Sequence, residues 1–306
     1  MTPPDPDQVI PFERLPAGFA ERLEAPPHPA HPRPAATVVL VREGEASPQV
    51  LLLRRNRSAG FVPGAFVFPG GRVDRADAHP ELLERIRGVD PGEVDARLGA
   101  HGVSDVAGRD AAAEDMAAQA FPSGAAFLVA ALREAFEETG IPVFRQSDDT
   151  PLGCAAGDPE MERLRRALLA GELTFLEVLR EVDGWMDGSA VGYISHWITP
   201  EAEPRRYDTR FFAAAVGRGT PALVDDQEIT EAVWLTPAEA LARNREGTLP
   251  MVFPTVKTLE ALRPFAAPGE ILEHYRDREI PAILPHFVRT PTGVGIRIPE
   301  DGSGGA

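Results

Sequence analysis

Two short apolar runs near the start of the chain give the clearest hydrophobic pattern. Residues 37–41 are Thr-Val-Val-Leu-Val, and residues 49–54 repeat an apolar run after a polar segment at 43–48. Short runs that are rich in β-branched and aliphatic residues and bounded by polar turns are typical of buried β-strands. The sequence therefore predicts a β-hairpin with strands at 36–42 and 49–54.

Helical and strand patterns follow one another along the rest of the chain. Capped or amphipathic stretches predict helices at 80–87, 91–98, 110–120, 159–169, 174–182, 236–247 and 254–262, and one more after Pro268. Further strands are predicted at 142–144, 194–198 and 211–216. With 306 residues, the chain is long enough for one large domain or two small ones.

One predicted helix, at 123–139, has well-defined ends. Ser123 is a residue that caps helix starts, Phe127 and Leu132 lie on its apolar side, and Gly140 stands where a left-handed residue would end it. The pattern therefore predicts a helix that packs one side against a core.

The polar side of this helix carries three glutamates. Glu134, Glu137 and Glu138 stand at positions i, i+3 and i+4, so their carboxylates share one face within one turn. Like charges at this spacing repel each other, and hard oxygen ligands on one face suit Mg²⁺ or Mn²⁺. The alternative is a solvated acidic face, which is the ordinary fate of a run of glutamates.

A glycine-rich segment, Phe-Pro-Gly-Gly-Arg-Val-Asp at 68–74, follows a predicted strand. Adjacent glycines let backbone N–H and C=O groups approach a ligand without obstruction by side chains. Together with residues 133–141, Arg-Glu-Ala-Phe-Glu-Glu-Thr-Gly-Ile, this segment resembles the Nudix box, the signature of the Nudix hydrolases. Gly71 begins the match.

The resemblance departs from the family pattern at two places. Asp77 stands where the family has a glutamate that mainly braces the loop. Residues 78–132 then replace a spacer that is seven residues long in the family. Such an insertion is tolerable if its ends lie close together, because the entropic cost of loop closure grows only logarithmically with length.

The resemblance implies an α/β fold, a Nudix-type α/β/α sandwich around a mixed β-sheet with helical insertions. The Nudix domain is expected at 35–262, after a Pro-rich N-terminal extension at 1–34 and before a C-terminal helix and flexible tail at 263–306. Two helical insertions are expected, at about 78–122 inside the box and at about 155–185. For the first, a lid, a subunit contact in a homodimer and a passive surface elaboration all remain open.

The resemblance also implies the roles of the site residues. The predicted ligands of Mg²⁺, or of Mn²⁺, are the Gly70 carbonyl and the carboxylates of Glu134, Glu137, Glu138 and Glu228. Glu228 is included among the ligands because the family has an acidic residue about six positions before a strand tryptophan, which is Trp234 in this chain. The predicted catalytic residues are Arg133, Glu134, Glu137 and Glu228. Arg133 is expected to orient the carboxylates, and the identity of the general base is left open.

The flanking sequences resemble the coenzyme A and acyl-coenzyme A diphosphatases, which release 3′,5′-ADP and (acyl-)phosphopantetheine. Arg55 and Gly64 match the signature of that branch, whereas its second arginine and its histidine fall at Gly60 and Val62. Arginines grip phosphate groups through several N–H donors, and the predicted substrate contacts are Arg55, Gly71, Arg205, Arg206 and Arg210. The alternatives are NADH, ADP-ribose or a dinucleoside polyphosphate as substrate, and a non-catalytic nucleotide-sensing module.

Composition narrows the class of partner to a small molecule. The 31 basic and 47 acidic residues give a formal net charge of −16, which argues against a nucleic-acid-binding surface. The single cysteine, Cys154, fits a reducing cytoplasm. Neither a secretory signal nor an apolar segment of membrane-spanning length is apparent. The sequence therefore predicts a soluble cytoplasmic enzyme that acts on a small diphosphate, without nucleic-acid or membrane partners.

Overall fold

The computed structural model describes residues 8–15, 19, 23, 30–56, 63–99, 123–153, 157–224 and 228–299. The strands in these ranges are β1 (Gln8–Pro11), β2 (Arg33–Arg42), β3 (Gln49–Arg55), β4 (Phe66–Val67), β5 (Gly70–Arg72), β6 (Ile86–Arg87), β7 (Phe144–Gln146), β8 (Gly184–Asp187), β9 (Val191–Ile198), β10 (Tyr207–Val216), β11 (Ile229–Leu235), β12 (Ala282–Ile283), β13 (His286–Thr290) and β14 (Gly293–Arg297). The α-helices are α1 (Pro80–Glu84), α2 (Pro91–Gly99), α3 (Gly124–Thr139), α4 (Pro159–Leu169), α5 (Phe175–Glu181), α6 (Pro237–Arg245), α7 (Phe253–Leu262) and α8 (Pro268–Tyr275).

A mixed sheet of the order β11-β3-β2-β10-β9-β12 organises the described part of the chain, with β4 paired to β3 and β5 paired to β2. The central pair, β2 and β10, is parallel, whereas β9 runs antiparallel to β10 and β3 runs antiparallel to β11. The predicted hairpin is present as β2 and β3, joined where Val41 faces Val50. The mixed sheet with helices confirms the predicted fold class.

The glutamate helix, α3, packs against β2 and β5. Its apolar side includes several alanines, which are fully buried and let the helix approach the sheet closely. Gly140 ends the helix with φ of 66°, and its N–H donates to the Phe136 carbonyl at 2.9 Å. The predicted helix and its stop are therefore confirmed.

The start of α3 differs from the prediction in one respect. Ser123 occupies the capping position, but its side chain makes no capping hydrogen bond. Asp95 of α2 takes that role, since its Oδ1 accepts from the Ala125 N–H at 2.7 Å. A carboxylate also suits the positive end of the helix dipole. The cap is supplied by a residue thirty positions away, which the local sequence does not reveal.

The end of α2 and the start of α3 touch each other. A Cβ added to Gly124 would lie 2.8 Å from the Leu98 Cβ and 2.8 Å from the Val94 carbonyl oxygen. The two ends of the segment 100–122 are therefore held together, as a long insertion inside the box requires. The helix predicted at 110–120 lies outside the described residues, as does Cys154.

The first part of the insertion contains a strand that was not predicted. The helix expected at 80–87 ends at Glu84, and Ile86–Arg87 pairs with β8 as β6. Strand β8 also pairs with β7, so a small sheet of order β6-β8-β7 joins the two predicted insertions. Arg180 of α5 donates from Nε to Glu81 of α1 at 2.8 Å, which adds an ion pair between them.

Both ends of the described chain meet in a third sheet. Strand β1 pairs with β14 antiparallel, from Gln8 opposite Ile296 to Pro11 opposite Gly293, and β13 completes the sheet. The predicted C-terminal helix is present as α8. The residues after this helix also form strands at 282–297, and buried Val294 and Ile296 of β14 lie opposite Ile10 and Gln8 of β1, near the start of the chain. Within the described ranges, no helix combines the length and the hydropathy that crossing a bilayer requires.

Candidate active site

Arg133 connects the glutamate helix to the loop after the glycines. Its Nε and Nη2 donate to Asp77 Oδ1 and Oδ2 at 2.8 and 3.0 Å, and Nη2 also donates to the Arg72 carbonyl at 3.0 Å. Its Nη1 donates to Glu134 Oε1 at 2.8 Å and to Glu137 Oε2 at 3.0 Å. One buried guanidinium thus fixes the positions of the loop and of two glutamates.

Asp77 occupies the bracing position despite being one methylene shorter than glutamate. The side chain is 1% exposed, and its Oδ2 accepts from the Asp74 N–H at 2.8 Å. A short 3₁₀ turn, Arg75–Ala78, brings the carboxylate to the guanidinium of Arg133. Asp77 therefore braces the loop in the described structure.

The two glycines allow the loop to approach the helix. The Gly70 N–H donates to Glu138 Oε2 at 3.1 Å. A Cβ at Gly71 would lie 2.3 Å from Glu134 Oε1, and one at Gly70 would lie 2.5 Å from the Ala36 carbonyl oxygen. A Cβ at Gly70 would collide with the backbone of β2, whereas a Cβ at Gly71 would meet the carboxylate at the flexible end of Glu134.

Arg55 and Glu228 reach the same site from the edge of the sheet. Arg55 ends β3 and faces Ile229 of β11, and the Asn56 N–H donates to the Glu228 carbonyl at 2.8 Å. Both side chains act electrostatically on Glu138, where Arg55 favours the charged carboxylate and Glu228 opposes it. The fold therefore brings together Gly70, Glu138, Arg55 and Glu228, which are far apart in the sequence.

The three glutamates all have raised pKa values. Burial raises the pKa of Glu134 to about 7, and the charge of Glu137 adds to this effect. Burial also raises the pKa of Glu137, and burial with the charges of Glu134 and Glu228 raises that of Glu138. For Arg133, burial favours the neutral form, but Asp77 and the glutamates outweigh it and raise the pKa. The carboxylates therefore lack sufficient positive charge from the protein.

A divalent cation fits this arrangement of donors. In the part of the chain that the structure describes, no three acidic, histidine or cysteine side chains converge as a preformed metal site. Arg133 holds Glu134 and Glu137, while the Gly70 N–H holds Glu138. Carboxylate and carbonyl oxygens are nevertheless the ligands that Mg²⁺ and Mn²⁺ prefer, and the raised pKa values show that added positive charge would stabilise the cluster.

Two of the predicted substrate-binding arginines have structural roles instead. Arg206 is 6% exposed and donates to the Thr199 and Ala30 carbonyls at 2.9 and 3.0 Å. Arg210 is 1% exposed. Its Nη1 donates to Asp208 Oδ1 at 2.5 Å. The prediction that they bind substrate is therefore wrong, because buried guanidinium groups with these partners are not available to a phosphate.

Arg210 instead connects the sheet to α2 and α3. Its guanidinium carbon lies 4.1 Å from the centroid of Phe127 on α3, and its Nη2 donates to the Leu98 carbonyl of α2 at 3.2 Å. His196 Nε2 lies 2.5 Å from the same Asp208 oxygen, which completes a buried charged cluster. Arg205, by contrast, is exposed just before β10.

The sequence reasoning missed two contributors to the site. The Arg72 carbonyl accepts from Arg133, although Arg72 lies inside the segment that was singled out for its glycines. Asp95 caps the glutamate helix from α2. Neither contact has a local sequence signal, because one uses a backbone atom and the other depends on how the insertion folds.

Comparisons with known proteins place this geometry in a family. The family model described as NUDT19 Nudix domain matches residues 32–262. The acyl-coenzyme A diphosphatase NUDT19 of Gallus gallus is 30% identical over 83% of this chain and 74% of its own length. The protein of the same name from Homo sapiens is 28% identical over 90% of this chain and 81% of its own length.

A solved structure supports the same assignment. The crystal structure of a Nudix hydrolase from Alicyclobacillus acidocaldarius covers 80% of this chain and 96% of its own, with 27% sequence identity and a TM-score of 0.59. The same family is indicated by the split box, by the braced glutamate helix, by the family match and by this fold. The chain therefore belongs to the Nudix hydrolases, in the family described as the NUDT19 Nudix domain.

Proposed function

We propose that this enzyme hydrolyses the diphosphate bond of a nucleoside diphosphate-linked compound, with coenzyme A or an acyl-coenzyme A as its substrate. In that reaction, the oxygen of water forms a bond to one phosphorus while the bond from that phosphorus to the bridging oxygen breaks. The products are 3′,5′-ADP and (acyl-)phosphopantetheine, and the proton lost by the water goes to a carboxylate.

One observation carries the proposal, namely the convergence of the glycine pair, the glutamates, Arg55 and Glu228 at one place. The glycine loop leaves the backbone open beside Glu138, and Arg55 adds the positive charge that a phosphate needs. The Nε of Arg55 is buried and makes no hydrogen bond within the described residues.

We assign the cofactor as Mg²⁺ or Mn²⁺, held by the carboxylates of Glu134, Glu137, Glu138 and Glu228 with the Gly70 carbonyl. Such an ion neutralises phosphate charge and lowers the pKa of a bound water. Arg133 keeps two of these carboxylates in position through the contacts already described. Glu134 and Glu228 are the two candidates for the group that accepts the proton of water.

The proposed substrate is supported by two similar proteins and by the predicted substrate-binding arginines that are not fully buried. The relatives from chicken and human are named acyl-coenzyme A diphosphatases. Coenzyme A differs from simpler dinucleotides by its 3′-phosphate, which needs its own positive partner. Since Arg206 and Arg210 are buried, we assign this contact to Arg55 or to the exposed Arg205. A cytoplasmic location and a homodimer stay predictions.

Product analysis tests the proposal. The full chain is incubated with Mg²⁺ and, separately, with coenzyme A, acetyl-coenzyme A, NADH, ADP-ribose and a dinucleoside polyphosphate, and the products are identified by mass. We expect 3′,5′-ADP to be released from coenzyme A or its ester with the highest kcat/KM of the set. Preferential release of AMP from NADH or ADP-ribose would contradict the substrate, and hydrolysis of none would contradict the function.

A further inference from the structure

The last turn of α3 carries Glu137 and Glu138, and the helix ends at Thr139. The last four carbonyls of an α-helix have no partner inside the helix, so this end needs donors from other parts of the chain. The Thr139 carbonyl accepts from the Leu223 N–H at 2.8 Å. The groups that bind the other carbonyls therefore help to set where the two glutamates lie.

Arg165 of α4 supplies a donor to this helix end. Its Nε donates to the Glu137 carbonyl at 2.9 Å and to the Phe136 carbonyl at 3.2 Å. Arg165 is 5% exposed. A cation at the C-terminal end of a helix also interacts favourably with the helix dipole. A buried guanidinium thus binds the backbone of a residue that carries one of the clustered carboxylates.

Helix α4 is itself anchored, which keeps Arg165 in place. Met161 and Leu164 are buried and lie on the same face of α4 as Arg165, at positions i, i+3 and i+4. Asp158 caps the start of the helix, where its Oδ1 accepts from the Glu160 and Met161 N–H groups at 3.0 and 3.2 Å. The helix packs against both α3 and α5. The donor therefore comes from a fixed element of the fold.

We propose that Arg165 is a positioning residue for diphosphate hydrolysis, because it fixes the last turn of α3 and with it the carboxylates of Glu137 and Glu138. This inference rests on the proposed function, which places those carboxylates in the reacting site. Arg133 holds the side chain of Glu137 and Arg165 holds its backbone, so the residue is constrained at both ends. The second helical insertion, which contains α4, then contributes to catalysis without touching the substrate.

Arg165→Met tests this role, since methionine keeps much of the apolar packing and removes the charge and the hydrogen bonds. Loss of a group that orients a metal ligand lowers activity or metal affinity by about 10–100-fold. We expect a fall of this size in kcat for coenzyme A, or for whichever diphosphate the wild type hydrolyses fastest, at saturating Mg²⁺. KM should stay within about threefold, because Arg165 makes no substrate contact. Arg165→Lys keeps the charge and a donor and should lose less than the methionine variant, about threefold to tenfold.

Two other arginines provide controls. Arg97 of α2 makes the same kind of contact with a helix that carries no site residue, since it donates to the carbonyls of Tyr275, which ends α8, and of Arg278. Arg97→Met should lower the melting temperature about as much as Arg165→Met and leave kcat unchanged. Arg166→Met, on the exposed side of α4, should change neither quantity.

Amide hydrogen exchange tests the contact without depending on turnover. In Arg165→Met, exchange should be at least about tenfold faster over residues 136–140 and unchanged over residues 126–132. Unchanged exchange at 136–140, a wild-type kcat in folded Arg165→Met, or an equal loss of kcat in Arg97→Met would each overturn the proposal.

If Arg165→Met does not fold, Arg165→Lys carries the comparison, and a wild-type kcat in that variant overturns the proposal. Hydrolysis of no diphosphate by the wild type would contradict the proposed function instead. The exchange at 136–140 would then still support or overturn the role of Arg165 at the helix end.

Discussion

At the residue scale, Gly71 sets the distance between the glycine loop and the glutamate helix. A Cβ there would lie 2.3 Å from Glu134 Oε1 and 2.5 Å from its Cδ. The obstructing atoms belong to the end of a flexible side chain, so Glu134 can move away and the fold can survive. The cost of a side chain at this position therefore appears in catalysis, where displacement by 1 Å can lower a rate by about 10²-fold.

We predict that Gly71→Ala lowers kcat/KM by about 10²-fold while the melting temperature changes little. Gly269→Ala is the matched control, since a Cβ at Gly269 meets nothing within 4 Å, and it should leave both quantities unchanged. Steady-state kinetics and calorimetry on the three proteins make the comparison. A Gly71→Ala enzyme with the wild-type kcat/KM would show that the position of Glu134 does not matter.

A second prediction at this scale concerns the buried cluster of His196, Asp208 and Arg210. Burial would raise the pKa of Asp208, but His196 and Arg210 outweigh it and lower the pKa. Breaking a buried ion pair leaves an uncompensated charge, so Asp208→Asn should reduce the free energy of unfolding by about 3–5 kcal/mol near pH 7.

The lowered pKa also fixes how this effect depends on pH. A carboxylate whose pKa is lower in the folded state stabilises the fold above its unfolded pKa, near 4, and this stability is lost as pH falls through the folded pKa. Urea unfolding at pH 7 and pH 3 should therefore show a smaller difference between Asp208→Asn and wild type at pH 3. Glu231→Gln, in a partly exposed pair, serves as the control with little effect at either pH. An equal difference at both pH values for Asp208→Asn would refute this account.

The role of a residue could be predicted from the sequence only where its position belonged to a recognisable pattern. Asp77, Arg133 and the glycine pair were found in this way, and their contacts match those positions. Arg206 and Arg210 were misassigned because an arginine in a charged segment carries no signal of its own burial. On β10, Arg210 and Asp208 share a face by the alternation of a strand, and tertiary packing then buries that face.

At the scale of elements, the described part of the box insertion is anchored to the glutamate helix. Helix α2 contacts α3 through Leu98, Gly124 and the Asp95 cap. Leu82 and Ile86 are buried in the core. The segment 100–122 begins and ends beside this contact, so the fold of the described residues does not need it to bring the two helices together.

We therefore predict that a linker of about four Gly and Ser residues can replace residues 100–122. The shorter loop should stabilise the fold by about 1–2 kcal/mol, because less closure entropy is lost on folding, and kcat/KM should stay within about threefold of wild type. Denaturant unfolding and steady-state kinetics measure the two effects. As a contrast, removing 80–122 should prevent stable folding, since it removes buried Leu82, Ile86 and Leu98. A folded 100–122 variant without activity would place that segment in the active site.

Elements with local end signals could be predicted, and those that depend on distant partners could not. Helices α4, α5 and α6 have local start signals, because the side chains of Asp158, Thr174 and Thr236 cap them from the position just before each helix. Strands β6 and β12 have two residues each and exist only because β8 and β9 accept them. Such short strands have no periodicity that a sequence pattern can show.

At the scale of the whole molecule, the acidic balance constrains the mechanism. A formal net charge of −16 opposes the approach of an anionic diphosphate. Binding then depends on a local excess of positive charge, which Arg55 supplies in part and a divalent cation on the glutamates would complete. We therefore propose the glutamate face of α3 as the hydrolytic site.

The most direct test is the rate of diphosphate hydrolysis by Glu138→Gln and Glu137→Gln at saturating Mg²⁺, with Glu162→Gln on the exposed side of α4 as the matched control. If cation stabilisation contributes several kcal/mol to the transition state, each site variant should lose ~10³-fold or more in kcat, while the control keeps the wild-type rate. Circular dichroism verifies that all variants are folded. Wild-type rates in both folded site variants would contradict the account.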